Sequence, residues 1–198
     1  RSCATAAAIH TLRANFALPI IGMEPAVKPA VAATRSGVVG VLATIGTLES
    51  SRFAALLERY AGNVRIVTQG CPGLVEQVER GALDTSETRT LLERYTAPLL
   101  AAGADTMILG CTHYPFLAPL IHEVVGAGIS LVDTGAAVAR ELKRRIEAEL
   151  PARPSSDMTL ISREEVFHTS GELAQAQRIL PLLWQHTAAV QTLPHPYC

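Results

Sequence analysis

Four cysteines punctuate the 198-residue chain: Cys3, Cys71, Cys111 and Cys198. Two of them stand just ahead of segments with helical patterning and have a hydroxyl residue close behind, as Cys3-Ala4-Thr5 and Cys111-Thr112-His113. The first N–H groups of a helix lack partners and make its start electropositive, which draws a thiol toward the thiolate, at once a base and a nucleophile. A single cysteine in such a place is more often a buried structural thiol. A second one in the same setting shifts the balance moderately toward reactivity. His113 could orient a substrate or exchange a proton with Cys111, although a satisfied histidine at a helix start is the commoner case. Thr44, Thr47 and Thr112 read by default as helix N-caps, and the same hydroxyls could hold a carboxylate together with helix N–H groups. Glu79 falls on a short helical stretch, Val75 to Glu79, where a surface carboxylate is the ordinary reading. Cys71 precedes Pro72 in a loop and Cys198 is terminal, so neither is assigned a role. No Cys-x-x-Cys pair exists, which argues against zinc or a redox dithiol.

These residues need strands and helices to bring them together. Short apolar runs of strand length occur at Val38–Ala43, Val64–Thr68, Thr106–Leu109 and Ile129–Val132. Helical spacing separates them: Phe53, Leu56, Leu57 and Tyr60 before Gly62, then Leu91 to Leu100 before Gly103, then a helix through Ile121 and Val125. Val138, Leu142 and Ile146 mark a helix after Asp133. Strands alternating with helices, each strand fully apolar, predict an α/β fold with a parallel sheet covered on both faces. Ligands bind such sheets outside the carboxyl ends of the strands. The polar clusters at Cys3–Thr5, Thr44–Thr47, Cys111–His113 and Asp133–Thr134 all fall at positions of that kind. Outside this unit the pattern predicts a helix over Ala4–Phe16, a short strand at Pro19–Gly22 and a connection between domains over Glu24–Thr34. It also predicts a linker at Pro151–Ser156, a strand at Met158–Ile161, a helix at Glu172–Trp184, a strand within Thr187–Leu193, and a disordered tail. Arg1-Ser2-Cys3 runs straight into a helical pattern, so an opening segment is expected upstream.

Composition narrows the classes. Apolar residues make up 48%, charged residues 18%, and the net charge is −1. That is enough apolar material for a globular core. No basic patch points to nucleic acid and no polybasic run to an anionic membrane. The apolar runs are far short of a membrane span. No dinucleotide fingerprint or P-loop appears. Reduced thiols in a cytoplasmic protein are expected.

Ile108-Leu109-Gly110-Cys111-Thr112-His113-Tyr114-Pro115 resembles the second cysteine motif of glutamate racemases. Ser2-Cys3-Ala4-Thr5-Ala6 is similar to the first, which in that family usually reads Cys-Asn-Thr-Ala. Gly22–Ala26, Val41–Thr47 and Gln69–Pro72, with Glu79 and Gly81 after it, resemble further blocks in the family's order. The resemblance covers residues 2 to 150 well and 158 to 184 weakly. It implies two similar Rossmann-like domains facing each other across a cleft, each contributing one cysteine. Residues 33–148 would be the complete second domain, with 1–32 and 149–198 as parts of an incomplete first.

The resemblance further implies a cofactor-independent racemase without metal that interconverts L- and D-glutamate for peptidoglycan synthesis. Cys3 and Cys111 would exchange protons with opposite faces of Cα. Ala4, Thr5, Thr44, Thr47, Thr112 and His113 would contact substrate, with Glu79 accessory. A homodimer is one option for assembly. Ala4 replaces the family Asn and Phe53 the usual Tyr. Loss of that amide would leave a substrate polar group unpaired at about 1–3 kcal/mol. Three rival readings stand beside this one: an aspartate or hydantoin racemase, a cysteine hydrolase using Cys111 and His113, and an inactive fragment that serves as a binding module.

Overall fold

The computed structural model describes residues 2–149, 165–186 and 189–194. Helix α1 (Ser2–Asn15) leads through an irregular stretch to α2 (Val27–Ala33). A parallel sheet follows, built from β1 (Val38–Ala43), β2 (Arg65–Gly70), β3 (Thr106–Leu109) and β4 (Ser130–Val132) in the order β2-β1-β3-β4. Helices α3 (Ile45–Leu48) and α4 (Ser51–Tyr60) connect β1 to β2, and α5 (Leu74–Arg80) and α6 (Ser86–Ala101) connect β2 to β3. A 3-10 turn at Tyr114–Leu117 runs into α7 (Ala118–Val125), and α8 (Gly135–Glu149) follows β4. A second, two-stranded parallel sheet joins β5 (Val166–Thr169) to β6 (Ala189–Thr192), linked through α9 (Leu173–Trp184).

The central strands β1 and β3 are buried on both faces, and the two-residue period of β1 shows how. Val39, Val41 and Ala43 point to one side, where they pack with Ile108, Phe53 of α4 and Val27 and Ala30 of α2. Leu42 points to the other, into a core with Met107, Leu109, Leu74, Leu92, Leu99 and Ile121. Successive strand residues project to opposite faces, so a strand covered on both sides must be apolar throughout. Gly40 falls on the second face. A Cβ there would lie 2.9 Å from Leu99 Cδ1 and 3.2 Å from Leu99 Cβ, so its absence is what seats α6 against the sheet.

The amino end of the sheet is fastened by one carboxylate. Asp105, just before β3, accepts hydrogen bonds from Thr34 Oγ1 (2.6 Å), Arg35 N (2.8 Å) and Ser36 N (2.8 Å). It thereby ties the segment leading into β1 to the start of the neighbouring strand. Burial alone would raise the Asp105 pKa. The hydrogen bonds from Thr34, Arg35, Ser36 and Thr106 together outweigh it and hold the carboxyl below the usual range.

Several expectations are corrected. Pro19–Gly22 forms no strand; Arg13 instead donates its Nε (3.1 Å) and Nη2 (3.0 Å) to Ile20 O. The stretch 24–34, read as a connection, contains α2, whose Val27 and Ala30 are fully covered by the sheet. In the polar cluster Thr44–Thr47, Thr44 is the N-cap of the one-turn helix α3, while Thr47 lies inside that helix rather than capping one. β5 was not anticipated. Met158–Ile161, the Pro151–Ser156 linker and most of the tail lie outside the described residues.

Asp105→Asn is expected to destabilise the fold by about 1–2 kcal/mol at neutral pH, allowing for partial exposure, since Nδ2 cannot accept from backbone amides. The depressed native pKa means that this stabilisation is complete above about pH 4 and fades as pH falls toward the native value. Urea midpoints of the two proteins should therefore converge in acid. Gly40→Val is expected to cost about 1–3 kcal/mol by forcing Leu99 away, read as a lowered midpoint with an unchanged slope.

Candidate active site

The chain passes from β1 out to β2 and then back across β1 to β3, so the strand order reverses between β1 and β3. Connections on the two sides of that point leave the sheet in opposite directions, and a crevice opens at the carboxyl ends. Thr44 follows β1 there, Gly110-Cys111 follows β3, and Asp133-Thr134 follows β4.

Gly110 brings the β3 segment close to β1. Its N–H donates to Leu42 O across 2.8 Å, and a Cβ at this position would lie 3.0 Å from Ala43 Cβ and 3.1 Å from Leu42 O. Backbone oxygen cannot give way as a flexible side chain can, so the close approach requires glycine. Cys111 then emerges beside a pocket lined by Met23, Glu24, Thr112 and Thr134. Glu24 is ion-paired with Arg52 of α4. Asp133 Oδ1 accepts from Gly135 N (2.6 Å) and turns the chain into α8.

Cys111 is 6% exposed, and its Sγ lies 3.7 Å from His113 Nδ1. On the far side of the ring, His113 Nε2 lies 3.3 Å from Glu79 Oε1. A thiol, an imidazole and a carboxylate thus form a line from the pocket outward. A proton leaving the sulfur has an adjacent acceptor, and the carboxylate complements the charge the ring would gain. Sequence reasoning placed Glu79 on the surface by default. Its side chain is indeed 58% exposed, yet it faces His113. No local signal could have shown this, because the contact joins the last turn of α5 to the loop after β3, 34 residues away.

The segment after Cys111 is a 3-10 turn rather than the expected α-helix start. His113 precedes that turn without making a side-chain cap, and Thr112 lines the pocket rather than capping. Thr44 does cap α3, accepting from Thr47 N (3.3 Å), and its hydroxyl lies 2.9 Å from that of Thr47. Cys3, Ala4 and Thr5 fall in the first turn of α1, and their side chains lie outside the described residues. α1 itself touches α3, next to the carboxyl end of β1.

Cys71 is a different kind of thiol. It is 2% exposed, its Sγ donates to Gln69 O at 3.3 Å, and Tyr114 donates to its carbonyl at 3.3 Å. Burial pushes its pKa up to about 12. Burial likewise drives the Tyr114 phenol above its usual range. Both are neutral walls behind Cys111.

Comparison with known proteins gives this geometry a family. Residues 2–142 match the model of the Asp/Glu/Hydantoin racemase family. The chain is 57% identical over 189 residues to a glutamate racemase of Ectopseudomonas mendocina, covering 94% of this chain and 70% of that one. Against the glutamate racemase of Pseudomonas aeruginosa it is 53% identical over 191 residues, again 70% of the relative's length. Among solved structures, Escherichia coli glutamate racemase in complex with L-glutamate and the activator UDP-MurNAc-ala superposes with a TM-score of 0.79 at 32% identity, covering 93% of this chain and 68% of that one. The RacE1 isoform from Bacillus anthracis gives 0.80 at 25% identity over 98% and 72% of the two chains. The strand-end cysteine, its histidine and the sheet that carries them therefore sit in a chain that belongs to the Asp/Glu/Hydantoin racemase family.

Proposed function

We propose that this protein interconverts L- and D-glutamate by two-cysteine proton transfer without a cofactor. The observation that carries the reading is the Cys111–His113–Glu79 line at the point where the strand order reverses. The identity of its relatives supports glutamate as the substrate. Residues 33–148 act as one α/β domain, and 1–32 with 149–198 belong to the facing one. The four-stranded sheet draws its strands from residues 38–132 alone, and β5–β6 forms a sheet apart, in keeping with that division.

In one direction the Cys3 thiolate removes the Cα proton. The electron pair left on Cα is delocalised into the adjacent carboxylate, and the Cys111 thiol delivers a proton to the opposite face. Cys3 ends as the thiol and Cys111 as the thiolate, so the product state is set for the reverse reaction. Stabilising the carbanion requires donors held around the carboxylate before the proton moves. Thr5, Thr44, Thr47, Thr112 and backbone N–H groups at the strand ends fill that role, with Ala4 offering no amide. His113 and Glu79 hold the proton of Cys111 near the sulfur between half-reactions. The product, D-glutamate, supplies peptidoglycan synthesis. A buried thiol such as Cys71 suits a reducing cytoplasm, and among the described residues no helix is long and apolar enough to cross a membrane.

Cys3→Ser and Cys111→Ser are each expected to lower kcat/KM for both enantiomers by roughly 10²–10⁴-fold, followed by circular dichroism of the amino acid. If Cys3→Ser racemises normally, the two-cysteine reading fails and a single-thiol chemistry of Cys111 and His113 takes its place. Iodoacetamide at pH 8 is expected to label Cys111 and to spare Cys71 until the protein is denatured. With a pKa near 12, only about one Cys71 in ten thousand is ionised at that pH.

A further inference from the structure

We propose that α9 is a positioning element for the Cys111 proton line, with Gln175 and Ile179 holding the end of α5 where Glu79 meets His113. Gln175 Nε2 donates to the backbone carbonyl of Glu79 at 3.2 Å. One turn further along α9, Ile179 is buried, and its Cδ1 would lie 3.0 Å from a Cβ at Gly81, with Leu182 Cδ1 at 3.1 Å. Gly81 has φ +76° and closes α5, its N–H donating to Val78 O at 2.9 Å. The helix thus rests directly on the backbone of the turn that carries Glu79.

The need for such a support follows from the size of α5. A helix of seven residues does not sustain itself and takes its stability from packing. A contact as exposed as that of the Glu79 carboxylate with the His113 ring is worth little and cannot hold the helix end in place. Leu74 and Val78 anchor the inner face of α5 in the sheet core. At the end of its last turn α5 meets α9 through the Glu79 carbonyl and Gly81. This inference rests on the reading of Cys111, His113 and Glu79 as proton-handling groups. Gln175 and Ile179 touch neither substrate nor sulfur and act through Glu79 alone. Among the described residues, the titratable groups near the thiol also include Cys71 and Tyr114 behind it, Glu76 near Tyr114, and Glu24 across the pocket with its partner Arg52.

The test is a double-mutant cycle in the full chain with Gln175→Leu, Ile179→Ala, Glu79→Gln and the Glu79→Gln/Gln175→Leu pair. Two readouts are followed: kcat/KM for glutamate against pH, and the pH midpoint for iodoacetamide labelling of Cys111. Gln175→Leu and Ile179→Ala are each expected to lower kcat/KM about three- to tenfold and to move the labelling midpoint to higher pH, as Glu79→Gln does more strongly. In the Glu79→Gln background, Gln175→Leu should add nothing. If Glu79→Gln moves the midpoint and the α9 variants do not, the inference is overturned while the proton line stands. If the double variant shows additive loss, α9 acts on general stability and the inference is likewise overturned. If Glu79→Gln itself changes neither readout, the reading of the proton line falls and the inference falls with it.

Discussion

The contact between Gly110 N and Leu42 O is the constraint on which the carboxyl end of the sheet depends. It continues the pairing of β1 and β3 one residue past the last strand position and leaves no room for a side chain. Cys111 is therefore delivered at the place where neighbouring connections diverge, beside the residues that follow β1 and β4. The same packing that buries Leu42, Met107 and Leu109 fixes the direction in which Cys111 emerges. Asp105 holds the opposite end of the same two strands in register. The geometry at the thiol is thus inherited from strand pairing rather than from a loop.

Two buried thiols, Cys71 and Cys111, differ in the partners that one fold gives them. Both are nearly inaccessible and both belong to the same apolar cluster. Cys71 gives its hydrogen to a backbone carbonyl, and burial stabilises the neutral form. Cys111 has an imidazole within proton-transfer reach, and that imidazole has a carboxylate behind it. The difference lies in the partners and not in the burial. Such partners would let an apolar wall hold a group that, in the proposed reaction, changes charge during turnover.

The four strands of the main sheet were legible because each is a short apolar run between turn signals, and β1 and β3 match their expected limits. The candidate site was legible only in part. Cys111 and His113 could be marked from their place after a strand, but the pairing of His113 with Glu79 spans 34 residues of sequence and depends on how α5 ends. Asp105 looks like an ordinary surface acid until Thr34, Arg35 and Ser36 converge on it. Gln175 carries no local signal, because its only distinction is the carbonyl it meets 96 residues away. The one-turn α3 and the strand β5 escaped for a related reason: they are too short for periodicity to show, and tertiary contacts decide them. The tie to a racemase came from ordered motifs and not from pattern.

The central claim is that two thiols on opposite sides of one Cα share the reaction, and isotope wash-in during the first few per cent of turnover tests it most directly. In deuterated water, starting from L-glutamate, the account predicts that newly formed D-glutamate carries solvent deuterium at Cα while the recovered L-glutamate remains protiated. The reverse pattern should hold from D-glutamate. Product that keeps the original hydrogen would mean that one group returns the proton it removed, and would contradict the account.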